Sequence, residues 1–214
     1  MLRKKITRAL PETERRGSGV EKLRPPSMLP ISETRPLLLG KEGKNRNEGA
    51  WNARCMAELE EDISPLAQSI VSALREEMKS GSSPMTRVYL TQAIAHHARN
   101  RYDTEPFIGV LSSCIDDPTL HVRLNAITAV SEHAKSGGDI GLLVDKLVPK
   151  LEDMSQLIQE ISLAALKTHA ASSPMAAHQV LLALGSGDER LNDSVRERRA
   201  DLRDHCGQIL RNKV

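Results

Sequence analysis

Aromatic side chains are nearly missing from this chain: one Phe, one Trp and two Tyr stand among 214 residues. So small a set excludes the stacking platforms that hold single-stranded nucleic acid, and a nucleic-acid partner is not expected. No apolar run approaches the roughly 20 residues that cross a bilayer as a helix. Cysteine is scarce, and Cys55, Cys114 and Cys206 lie far apart without ligand or redox spacing. An odd count of this kind favours a reducing compartment over a disulfide framework. Alternating β-branched runs bounded by hairpin turns are absent, so no sheet is expected. Also missing are G-x-S-x-G, a glycine-rich phosphate loop and H-E-x-x-H. Without convergent groups of that kind, neither catalysis nor a cofactor is expected.

What the chain does have is repetition. Leu90 to Ala98 reads LTQAIAHHA, Leu124 to Ala134 reads LNAITAVSEHA, and Ile161 to Ala170 reads ISLAALKTHA. Their closing histidines, His97, His133 and His169, are 36 residues apart, and His205 falls on the next step. Ala93, Ala129 and Ala165 share the frame, as do Ile94, Val130, Leu166 and Leu202. Acidic pairs recur at Asp116-Asp117, Glu152-Asp153 and Asp188-Glu189. A fixed period of this length on helix-like segments predicts stacked helix pairs rather than an irregular bundle.

The expected organisation has two parts. Residues 1–49 carry five prolines and five glycines, a density that interrupts helices. They offer few large apolar groups to offset ordering entropy, so a disordered basic tail is expected there. Residues 1–50 hold twelve Lys/Arg against six Asp/Glu, and the rest hold eighteen against twenty-two. A basic arm on a mildly acidic body suits contact with an acidic partner. The opening MLRKKITRAL sets Leu2, Ile6 and Leu10 on one helical face among four cations, as a transit peptide would, but Glu12 and Glu14 follow and a solvated tail is favoured. Leu37-Leu38-Leu39 reads as an incidental contact or a docking peptide.

Residues 50–213 are then the repeat domain, about four helix pairs and a C-terminal capping helix. Ser64-Pro65, Ser83-Pro84 and Ser173-Pro174 are start signals: a hydroxyl to cap, then a proline where its missing N–H costs nothing. Thr104 and Asp139 are further expected caps, and Pro149 should bend or end its helix. The last helix, from about Leu191 to Asn212, carries sparse apolar positions among many charges, as a terminal unit with one neighbour should.

In metal chemistry the four histidines are not expected to act together. Stacked helices stand about 8–10 Å apart, whereas zinc draws its nitrogen ligands to about 2 Å. A histidine near a helix C-terminus is favoured by the dipole there instead. The more promising surface is the row of corners inside the pairs, which a solenoid aligns along one edge. Arg99, Arg101 and Lys135 place positive charge on it. Trp51, the only tryptophan, either packs between helices or stands out as an interface anchor.

These segments resemble HEAT repeats of the armadillo-type superfamily. DDPTLHVRLNAITAV, Asp116 to Val130, carries that family's acidic turn, proline, Val-Arg and small residues, while Gln159 replaces the arginine in the next unit. The resemblance implies an all-α, right-handed α-α superhelix and a non-catalytic protein-binding role. WNARCMA, Trp51 to Ala57, looks like the opening of TOG-type tubulin-binding arrays, in which the tryptophan and basic corner residues face tubulin. Carried over, it nominates Trp51, Arg99, Arg101 and Lys135 as partner-binding, with tubulin as partner and a cytoplasmic, cytoskeletal or nuclear setting. This chain has room for fewer helix pairs than those arrays. Cys114 to Leu151 also resembles part of the cullin-associated exchange-factor family, which implies a cullin complex as the alternative partner.

Overall fold

The computed structural model describes residues 28–81, 83–185, 188 and 191–212. Within them the ordered elements are all helical. Helix α1 spans Ile31–Leu38, α2 Gly43–Glu58, α3 Ala67–Ser80, α4 Pro84–Arg99 and α5 Glu105–Cys114. Then come α6 Leu120–Lys135, α7 Val144–Leu147, α8 Gln156–Ser172, α9 Pro174–Leu184 and α10 Asp193–Asn212. The expected tail of 1–49 needs correction over 28–49. There α1 and the start of α2 are helical, and Met28 and Leu38 are buried. A Cβ at Gly49 would meet the Leu38 amide nitrogen at 2.8 Å, so glycine there lets α1 lie directly on α2. That contact outweighs Pro36, which stands in the last turn of α1. Residues 1–27 of the expected tail lie outside the described residues.

The architecture is a two-layer stack. The histidine-bearing helices α4, α6 and α8 follow α2 in one layer, each packed on the next, and α10 closes on α8 and α9. The odd-numbered helices form the second layer, with α3 against α4 and α5, and α5 against α6. Leu90, Ile94, Val122, Ile127, Val130, Ile158 and Leu166 are fully buried between the layers. The small residues Ala93, Ala129 and Ala165 are also fully buried, which allows the close approach of successive even helices. Burial pushes the Cys114 thiol up to about 12, in keeping with a cysteine that packs as a small hydrophobe.

Two local departures follow from the sequence. Pro149 cannot donate, and the segment after Asp139 breaks into 3-10 turns at Gly141–Leu143 and Val148–Glu152 around the single turn of α7. Its inward residues Ile140, Leu143, Val144, Leu147 and Val148 are nevertheless buried as expected. Ser83 and Ser173 cap as read, their hydroxyls accepting from Thr86 N–H at 3.3 Å and Ala176 N–H at 3.1 Å. Ser64 and Thr104 do not cap through their side chains; the carboxylates just upstream accept instead, Asp62 from Ser64 N–H at 2.9 Å and Asp103 from Glu105 N–H at 3.0 Å.

Along the edge where one pair passes to the next, buried or half-buried arginines tie the layers together. Arg87 Nε donates to Asp117 at 2.8 Å, and Arg123 Nε to Asp153 at 3.2 Å. Arg46 Nε donates to Glu77 at 2.6 Å one pair earlier. The same carboxylates accept from backbone N–H groups of Thr119, Ser155 and Ser83. Gln159 keeps the short-range part of this arrangement, donating to the Asp153 carbonyl as Arg123 does to that of Asp117. At the C-terminal end Arg199 and Arg203 of α10 both pair with Asp188.

Candidate functional site

The corners at the C-terminal ends of α2, α4 and α6 share one backbone design. Glu60, Arg101 and Gly137 have φ of 66°, 63° and 86°, the left-handed region. The N–H after each reaches back to the carbonyl of Met56, His97 or His133, while their own N–H groups bond Ala57, Ala98 and Ala134. This is a Schellman ending repeated three times. The step from Glu60 to Arg101 is longer than that from Arg101 to Gly137, because α3 has 14 residues and α5 has 10.

The corners after α4 and α6 then pack on a histidine, His97 or His133, where the corner after α2 has Met56. His97 is fully buried, stacks on Tyr102 at 5.0 Å and meets Phe107 edge-on at 5.6 Å. Its Nε2 donates to the Asp103 carbonyl at 3.1 Å, which leaves Nδ1 without a hydrogen bond, 3.8 Å from Asp62. Burial lowers its pKa below the usual histidine value, against the pull of the Asp103 carbonyl and of the Asp62 and Asp103 carboxylates. His133 Nε2 lies 3.3 Å from Glu105 without a directed hydrogen bond. His169 Nε2 bonds Gln179 at 3.3 Å, with Nδ1 3.8 Å from Asp139. His205 Nε2 bonds the Lys167 carbonyl at 3.2 Å. Successive histidines thus take different partners at equivalent positions. Among the described residues no three metal-ligating side chains converge.

The charged surface lies outside this clamp. Arg99, Arg101 and Lys135 are exposed and line one cavity of about 520 Å³, with Ala98, Glu132 and Ser136. Lys135 pairs with Glu132 at 2.8 Å. A second cavity of about 450 Å³ continues from Arg101 past Glu105 and His133 to Gly138, and a third of about 240 Å³ runs from Gly138 past Asp139 to Met175. Beside the first cavity, burial and then the charge of Arg99 lower the pKa of His96. Three of the four nominated residues therefore come together. Trp51 does not join them. It sits within α2, two turns before the helix ends, half-buried and packed on the core.

The edge also carries acids, whose recurrence along it was not read from the sequence. Asp103, Glu105 and Asp139 are exposed there, with Asp62 one corner earlier. Burial alone would raise the Asp62 carboxyl, but hydrogen bonds from Ser64 and the nearby His97 hold it below the usual range. The 36-residue step from Asp103 to Asp139 was the available signal. The edge is thus mixed in sign, and the cavity of Arg99, Arg101 and Lys135, with Glu132 as its one acid, is its basic part.

No protein-family model and no curated protein matches the chain. Solved structures do. One is a designed armadillo repeat protein in complex with the peptide (KR)4, with a TM-score of 0.54 and 16% identity over 81% of this chain and 80% of that one. Another is a computationally designed armadillo repeat protein for modular peptide recognition, with a TM-score of 0.55 and 17% identity over 80% of each chain. The likeness, together with the helical stack, shows that this chain has the armadillo-type helical-repeat fold.

Proposed function

We propose that this chain is a non-catalytic protein-binding scaffold that takes an acidic segment of its partner at Arg99, Arg101 and Lys135. The observation that carries the reading is the convergence of these cations, from two successive corners, on one cavity with a single acid, Glu132. A guanidinium pair on a fixed corner suits carboxylates, because its planar donor forks match them. One structural neighbour is described with a basic peptide. The sign at this cavity is the reverse, which favours an acidic ligand.

The acidic surface of tubulin is the specific partner we favour, from the resemblance to TOG-type arrays. Trp51 stands apart from the corner, so this reading rests on the cations and not on a tryptophan anchor. Co-sedimentation with microtubules across a salt series tests it. Binding should fall about tenfold or more for Arg99→Glu with Arg101→Glu, and should weaken with salt as exposed charges are screened over about 8 Å. Capture of a cullin complex, with no tubulin bound at low salt, would replace tubulin by the alternative partner.

A further inference from the structure

We propose that the solvent face of α9, with the turn that opens α7, is a docking surface for this chain's own residues 1–10. Helix α9 reads PMAAHQVLLAL and contains no Asp, Glu, Lys or Arg. One side is core, with Ala176, Ala177, Val180 and Leu184 buried. The other side carries no charge but exposes two large apolar groups, Met175 at 83% and Leu182 at 70%, seven residues apart on one helical face with the exposed polar His178 and Gln179 between them. Gln179, between them, donates to the Gly141 carbonyl at 2.8 Å, which ties α9 to the neighbouring turn. The next residue in that turn, Leu142, is 91% exposed. Large apolar groups gathered on an uncharged, exposed face mark a contact surface. The outer face of α3 in the first pair shows the ordinary alternative, with Gln68, Arg75, Glu76 and Lys79 exposed.

The charges around the patch say what kind of segment fits it. Leu142 lies between Asp139 and Asp145, both exposed. Asp139 and Met175 also share the cavity of about 240 Å³ that runs along the corner. The complementary ligand is cationic and apolar on one face. The first ten residues, MLRKKITRAL, have that pattern: Leu2, Ile6 and Leu10 at helical spacing, with Arg3, Lys4, Lys5 and Arg8 between them. Reach is sufficient. Residues 11–27 separate this segment from Met28, which is buried at the α2 end of the stack. Seventeen residues span up to about 56 Å at 3.3 Å each. The three helix steps from α2 to α8 cover about 30 Å at 8–10 Å per step.

Methyl NMR on the full chain tests this. Leu2→Asp, Ile6→Asp and Leu10→Asp together should shift the Met175 methyl resonance and leave that of Met56, which is fully buried in α2, in place. The Met175 position in the parent chain should also be unchanged over a tenfold range of protein concentration. A weaker shift of the same sign is expected for Asp145→Lys. An unmoved Met175 in the triple variant would overturn the proposal. So would a concentration-dependent Met175 shift, which would assign the face to a second copy.

Discussion

The two edges of the stack are built from opposite materials. Where one pair passes to the next, Arg87 and Arg123 are pulled inward onto Asp117 and Asp153 at 2.8 and 3.2 Å, and each carboxylate also accepts a backbone N–H. Where the chain turns within a pair, the cations Arg99, Arg101 and Lys135 point outward. A buried histidine does the clamping there, and Nδ1 of His97 and Nε2 of His133 lack hydrogen-bond partners. One edge uses its charges to hold the repeats together. The other holds itself with backbone and imidazole; Arg99 and Arg101 stand exposed to a partner, and Lys135 is held only by the surface pair with Glu132.

The contrast is broken most severely by cutting the inner pair. Arg87→Ala leaves Asp117, 5% exposed, charged and unpaired, and should cost about 3–5 kcal/mol in urea unfolding. Arg99→Ala on the outer edge should change stability by no more than about 0.5 kcal/mol. Next comes the histidine clamp. A Cβ at Gly138 would fall 2.2 Å from the His133 ring, so Gly138→Ala must displace the imidazole. About 1–3 kcal/mol of overpacking destabilisation is expected in the same assay.

A pH series sharpens the comparison. Burial depresses the folded-state pKa of His97, so the unfolded chain binds this proton more readily. The stability tied to His97 is therefore complete above the unfolded value of about 6.5, and is lost as pH falls from there through the folded value. Thermal unfolding of His97→Phe between pH 7 and 5 should show a smaller loss than the parent. The smallest effect belongs to Arg101, whose left-handed φ of 63° favours glycine. Arg101→Gly should raise stability by about 0.5 kcal/mol while weakening capture of an acidic ligand, two changes of opposite sign from one substitution.

The stacking was legible because the residues that set it are local and periodic. His97, His133 and His169 mark successive helix ends, and the buried alanines mark the seam between even helices. The convergence of Arg99, Arg101 and Lys135 followed from the same frame, since equivalent corners must align. Helix α1 was hidden by Pro36 and by the glycines around it, because what stabilises it is contact with α2 across Gly49, which no local pattern records. The distance of Trp51 from the corner depends on where α2 ends, and boundaries are the least secure part of a sequence reading. Asp62 and Asp103 were obscured because the neighbouring Ser64 and Thr104 drew the capping assignment.

The outward-facing edge is the claim on which function depends. Backbone NMR of the full chain titrated with an oligoglutamate peptide reads it residue by residue. Shifts confined to 98–104 and 132–138, removed by Arg99→Glu with Arg101→Glu, are the predicted result. Shifts centred elsewhere, or an unchanged titration in the double variant, would contradict it.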